Sequence, residues 1–192
     1  MGCYFHDHLP VREAYVADDT SWSCFHGVNR WEGRDDCAGD QNDWKMRLRQ
    51  ALNGLAARID TAYERAASDI DHDPWNILEH YVQVRLGQTT TRDLVTGYGA
   101  SPDSSQGTAL ATMMECEYYR QLMFTSCGFF FEDLDRIEPY NNLAFAAKAV
   151  ELAKSAGMGE VEGPFVDELE SARSWRTGRT ARQMYLDILA RR

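Results

Sequence analysis

Trp44, Leu48, Ala51, Leu52, Leu55, Ile59, Ala62, Tyr63 and Ala66 recur at spacings of three and four. A run of that length is too long for a strand and carries the one-sided apolar stripe of an amphipathic helix. The rest of the chain must therefore be organised around one long helix. Asp73-Pro74 then sets a capping carboxylate before a proline at the first helical position, with Trp75, Leu78, Tyr81, Val82 and Leu86 behind it and Gly87 as the stop. This predicts a second, shorter helix.

The cluster GYGASPDSSQG over residues 97–107 has no apolar anchor beyond Tyr98 and reads as a surface loop. Residues 110–124 (LATMMECEYYRQLMF) are apolar around more than half of a helix circumference, which suits a helix at the centre of the molecule. Glu138-Pro139 opens a further helix in which Leu143, Ala146, Ala147, Val150 and Ala153 share a face, and Gly157 ends it. Two more helices are expected, one starting at Pro164 and one spanning Arg179 to Leu189, with Met184, Leu186, Ile188 and Leu189 among its apolar positions. No segment alternates with a period of two. The fold class is therefore all-α: an irregular bundle of six or seven helices over residues 40–192, on which a loop-rich arm of residues 1–39 packs. At 192 residues the whole is expected to be one helical domain.

Charge narrows the partners. Twenty Lys and Arg against thirty Asp and Glu leave a net charge of −10, a field that repels phosphate backbones and anionic lipid, so neither nucleic acid nor a membrane is expected as a partner. No window approaches the roughly 18 consecutive apolar residues of a spanning helix, and MGCYFHDHLP lacks the basic and apolar regions of a secretory leader. Five cysteines form an odd set without a CxxC pair, which signals no disulfide framework. A cytoplasmic protein is the expectation.

Two stretches hold costly residue types outside any helical period. In TSWSCFHGVNRW (residues 20–31), continuing through Asp36 and Cys37, the rings of Trp22 and Trp31 supply flat apolar faces. His26, Arg30 and Asp36 supply directional hydrogen bonds beside them. That mixture suits a sugar, whose C–H faces stack on rings and whose hydroxyls need donors and acceptors. The same residues also admit a structural reading, in which the tryptophans pin the arm and the polar groups satisfy buried partners. The second stretch, TSCGFFFEDLDRIE (residues 125–138), carries Glu132, Asp133, Asp135 and Glu138. Paired carboxylates invite comparison with glycoside hydrolysis, but acidic residues before a helix also favour its N-terminal dipole. Cys24, His26, Cys37 and Cys127 could form a three-cysteine, one-histidine metal site, or the cysteines could be small buried thiols. No Ser-His-Asp elbow, phosphate-binding loop or dinucleotide fingerprint occurs, so no catalytic residue is assigned and no cofactor is expected.

The runs TSWSCFHGVNRW with a following Asp36-Cys37, and RQLMFTSCGFFFEDLDRIE leading into NLAFAAKAVELA, resemble the signature segments of domain-of-unknown-function family 3536. The resemblance extends from about Pro10 to Tyr185, with Trp22, Cys24, His26, Gly27, Arg30, Trp31, Asp36, Cys37, Ser126, Cys127, Gly128 and Glu138 at the signature positions; it implies tryptophan where Phe129 stands and Gly-Cys where Ala38-Gly39 stand. It further implies the region that follows the catalytic barrel in proteins related to glycoside hydrolase family 57. On that basis the chain is expected to be non-catalytic alone and to contribute a wall of a glycan-binding cleft. Its partners would be a glycan or oligosaccharide and a separately encoded catalytic barrel. Trp22 and Trp31 would stack, His26, Arg30 and Asp36 would recognise hydroxyls, and Glu138 would orient the wall. The rival expectation is a stand-alone helical interaction or scaffold protein with the same residues in a buried polar network, and a third is a Cys/His metal-binding module.

Overall fold

The computed structural model describes residues 15, 17–18, 20–21, 25–33, 41–71, 73–158 and 161–191. Its helices in chain order are α1 (Asn29–Glu32), α2 (Asp43–Ala67), α3 (Pro74–Arg85), α4 (Thr91–Gly97), α5 (Ser105–Leu122), α6 (Cys127–Phe130), α7 (Ile137–Ser155), α8 (Glu162–Glu168) and α9 (Ala181–Ala190), with a 3-10 turn at Leu169–Ser171. Among the described residues there is no strand, only an isolated antiparallel bridge between Arg173 and Thr180. The all-α class is what the helical periods imply.

The long helix forms where the apolar period sets it. Every position of the 44–66 stripe is buried in α2, together with Ala56, Ala67 and Lys45. α5 lies between α2 and α7, its Leu110, Met113, Met114 and Cys116 fully enclosed. The alanine face of α7 (Ala146, Ala147, Ala149 and Ala153) lets α5 approach closely, and the buried apolar side chains from α2 to α9 form one cluster. α9 closes the far side of α7 through Met184, Tyr185 and Ile188. A capping box starts it: the Thr180 hydroxyl accepts from the Gln183 amide, and the Gln183 side chain accepts from the Thr180 amide.

Three local features go beyond the sequence reading. In α3 the buried side chains are Ile77 and Tyr81, while Trp75, Val82 and Leu86 of its apolar run lie exposed. The neighbours hold it so: Tyr63 of α2 donates its hydroxyl hydrogen to the Pro74 carbonyl at 2.6 Å, and the Tyr98 hydroxyl donates to the Asn76 carbonyl at 3.2 Å. The central helix begins at Ser105 rather than near residue 110, because the Ser104 side chain caps the Gly107 amide at 3.0 Å. Gly107 permits this start, since a Cβ there would stand 2.1 Å from the Ser101 carbonyl oxygen. Finally, α4 was not anticipated; Thr90 caps it by accepting from the Asp93 amide, and Leu94 and Val95 are its buried anchors.

The described part of the arm contains a single helical turn, α1, against the start of α2 and against α6. Among the described residues, no helix is long and apolar enough to cross a membrane.

Candidate functional site

The junction of α1, α2 and α6 is where the two signature stretches meet. Arg30 of α1 donates from Nε to the Phe130 carbonyl at 3.1 Å, and its guanidinium lies 4.5 Å from the centre of the Phe130 ring. On the other side of the same turn, the Lys45 ammonium donates to the Arg30 carbonyl at 2.9 Å. Trp31 packs its ring 5.8 Å from that of Phe130. The turn is thereby bolted to the bundle from two helices, with the Trp31 side chain half-buried between them.

The second stretch is held just as firmly. The Thr125 hydroxyl donates to the Asn142 side-chain oxygen at 3.0 Å, and the Asn142 amide donates to the Thr125 carbonyl at 3.1 Å. Gly128 sits directly on that amide: a Cβ would come within 2.4 Å of it. The small residue in TSCG is thus required by the close approach of α6 to α7. Phe129 is fully buried and lies under the Arg49 guanidinium at 4.7 Å, so the position where the family resemblance implies tryptophan holds a core side chain.

Between the arm and the bundle lies a cavity of about 560 Å³ whose lining includes Trp31, Glu32, Arg49, Phe124, Ser126, Thr20 and Ser21. One flat indole, one guanidinium, one carboxylate and three hydroxyls are what a polar ring compound needs on one wall. Burial lowers the Arg49 guanidinium below the usual arginine value, an effect that the Glu32 carboxylate opposes. Arg49 and Phe124 also line a second cavity of about 420 Å³, whose wall includes Asn53, Asp60 and Arg120. Behind that wall stands Glu117, only 1 % exposed and joined to Arg120 at 3.7 Å. Desolvation and the neighbouring Asp60 carboxylate push the Glu117 carboxyl up to about 8, against the pull of Arg120.

Of the residues anticipated from the sequence, Trp31 lines the first cavity. His26 is exposed with its ring 3.8 Å from that of Phe25, and Arg30 is engaged by Phe130 as described. Glu138 lies in the first turn of α7 and accepts from the Arg136 guanidinium at 3.1 Å, which holds its carboxyl below the usual glutamate range. Trp22, Cys24, Asp36 and Cys37 fall outside the described residues. Cys127 is exposed, and among the described residues no three His, Cys, Asp or Glu side chains converge as metal ligands.

The remaining acids of the second stretch are tied to the segment before α9. Asp133 accepts from the Ser174 hydroxyl at 2.9 Å, and Asp135 accepts from Thr177 at 2.8 Å and from Arg179 at 2.9 Å. They lock two loops together and have no role facing either cavity. Arg49 and Glu32 are the cavity residues that sequence reasoning passed over. The available signal was a polar line at four-residue spacing along one edge of the α2 stripe, formed by Lys45, Arg49 and Asn53.

An all-helical bundle that closes a polar, tryptophan-bearing cleft with an N-terminal arm is the class of protein these features define. The family described as Domain of unknown function (DUF3536) matches residues 41–191, nearly the whole bundle, and the chain belongs to it. The match begins after the described part of the arm and includes the whole TSCGFFFEDLDRIE run. No curated protein and no solved structure matches the chain.

Proposed function

We propose that the chain is a non-catalytic helical module of a carbohydrate-active protein and that the cleft beneath the arm forms one wall of a glycan-binding site. The observation that carries this reading is the position of Trp31: its half-buried ring lines a cavity of about 560 Å³ together with the side chains of Thr20, Ser21, Ser126 and Arg49. An indole face held rigid beside short hydroxyls and a fork of N–H donors matches the alternating apolar and polar edges of a pyranose. The sequence resemblance to the region that follows the barrel in proteins related to glycoside hydrolase family 57 supports the same reading, with the barrel as the second partner. In this arrangement Trp31 stacks, while Arg30 acts from behind, holding α1 on Phe130 so that the indole stays in place. The sequence resemblance would add Trp22 for stacking and His26 and Asp36 for hydroxyl recognition, and Glu138 steadies the base of α7 through Arg136.

One observation favours a scaffold reading instead. Arg30 and Lys45 both direct hydrogen bonds at backbone carbonyls, which is the behaviour of a polar network that fastens the arm. Calorimetry and thermal shift against neutral α- and β-gluco-oligosaccharides separate the two. Binding that raises the melting temperature and disappears in Trp31→Ala, with the helical circular dichroism retained, is the expected outcome. A folded protein that binds neither these saccharides nor an acidic oligosaccharide overturns the glycan reading and leaves the scaffold.

A further inference from the structure

Arg49 lines both cavities, as Phe124 does, and among the described residues its guanidinium has no hydrogen-bonding acceptor. Among the described residues no carboxylate lies within ion-pair distance of its guanidinium, and Nε is buried with no hydrogen-bond partner. Its other close contact is the Phe129 ring at 4.7 Å, which covers one face of the plane and offers no lone pair. A half-buried guanidinium in this state retains the cost of lost hydration, and its planar fork is shaped for two parallel hydrogen bonds to a carboxylate. The neighbouring arginine is differently placed: Arg120 already meets Asp60 at 2.6 Å. Asp60 meets Arg120 through Oδ2, and its buried Oδ1 has no hydrogen-bond partner, so Asp60 does not serve Arg49.

We propose that Arg49 anchors a carboxylate-bearing saccharide, a uronic-acid type of ring, in the cleft; this rests on the glycan reading above and names its ligand class. The charge balance chooses between such a ring and a free anion. With a net charge of −10 the protein repels small anions at long range, so an anion is held only where short-range fork geometry and ring stacking act together. Trp31 supplies the stacking surface in the same cavity. A neutral sugar would stack equally well but would leave the Arg49 fork without a bidentate acceptor.

The test is calorimetric titration of the full chain at low ionic strength with trigalacturonate, maltotriose and inorganic phosphate. Trigalacturonate is expected to bind about tenfold tighter than maltotriose or better, and phosphate to give no heat. Arg49→Gln brings the two saccharides to equal affinity, and Arg49→Lys, which keeps the charge but loses the fork, retains part of the difference. The melting temperature of Arg49→Gln is expected to be unchanged or raised, whereas a merely structural arginine would lower it. Equal binding of both saccharides, unaffected by Arg49→Gln, overturns the acidic ligand class while the glycan cleft stands. Phosphate binding that depends on Arg49 but not on Trp31 overturns it in favour of a plain anion site. No binding of either saccharide to the folded protein overturns both readings.

Discussion

Trp44 and Trp175 donate their indole N–H groups to one acceptor, the Glu132 carbonyl, each at 3.2 Å. The two tryptophans come from α2 and from the loop before α9, so a single backbone oxygen of the acidic segment joins the first long helix to the C-terminal end of the chain. Their burial differs sharply: Trp44 is 2 % exposed and Trp175 is 54 % exposed. Trp44→Ala empties a core site and should cost about 3–5 kcal/mol. Trp175→Phe removes only one exposed hydrogen bond and should cost about 0.5–1.5 kcal/mol. Urea denaturation of both variants checks this, and comparable losses would mean that the shared carbonyl, rather than ring burial, dominates.

Glu117 should make stability depend on pH in a direction opposite to most carboxylates. Its carboxyl titrates near 8 in the folded chain, well above the ordinary glutamate value of 4.5, because burial and Asp60 disfavour the charge. The folded state therefore binds the proton more tightly than the unfolded state. The resulting stabilisation is complete below about pH 4.5 and is lost as pH rises toward and through 8. A proton on Glu117 also supplies a donor in a region where Glu117 Oε1 and Asp60 Oδ1 are both buried without a partner. Glu117→Gln, a permanent donor of similar shape, should flatten this limb of the stability curve and raise the melting temperature at pH 9 by roughly 2–4 °C or more. Thermal melts from pH 5 to pH 9 decide it; parallel curves for wild type and variant would show that Glu117 is ionised throughout.

Two glycines differ in what an added methyl group meets. At Gly107 the obstacle is the backbone oxygen of Ser101, at 2.1 Å, whereas at Gly128 it is the Asn142 side chain at 2.4 Å. Backbone cannot swing aside, so Gly107→Ala should force the loop before α5 to move and cost about 1–3 kcal/mol. Gly128→Ala can displace Asn142 but breaks its paired bonds with Thr125, costing a similar amount and loosening α6. The discriminating measurement is the double variant with Asn142→Ala. It should recover much of the Gly128→Ala loss relative to Asn142→Ala alone, and strict additivity would contradict the contact.

The α2 stripe and the α7 face were legible because their apolar period is long and each helix has one buried side. Which apolar residues of α3 turn inward was not legible: Ile77 and Tyr81 are buried and Trp75, Val82 and Leu86 exposed, in a packing that the Tyr63 hydroxyl on the Pro74 carbonyl helps to fix. α4 is short, yet Thr90 and Asp93 form a capping signal visible in the sequence. For the candidate site, the aromatic and polar mixture drew attention to Trp31 and Arg30 alike. Nothing local distinguishes an arginine that lines a cavity from one that answers the Phe130 carbonyl, because that carbonyl is a hundred residues away. Arg49 was passed over since its meaning comes from Phe129 and Trp31, contributed by α6 and α1.

The attachment of the arm offers a last prediction, centred on Lys45. This lysine is fully buried, and its ammonium donates to the Arg30 carbonyl at 2.9 Å, joining α2 to the turn that carries Trp31. Lys45→Met keeps the length and apolar stem but removes the donor. Global stability is a poor readout here, because taking away a buried charge offsets the loss of its hydrogen bond. Local opening is the better one: the Trp31 amide, which donates to the Val28 carbonyl at 2.9 Å, should exchange its hydrogen about tenfold faster or more once the turn is released. Amides of α7, on the far side of α5, should keep their protection. Unchanged exchange at Trp31 would show that Arg30 on Phe130 holds the turn by itself, and Arg30→Met in the Lys45→Met background would then be required to free the indole from the cleft.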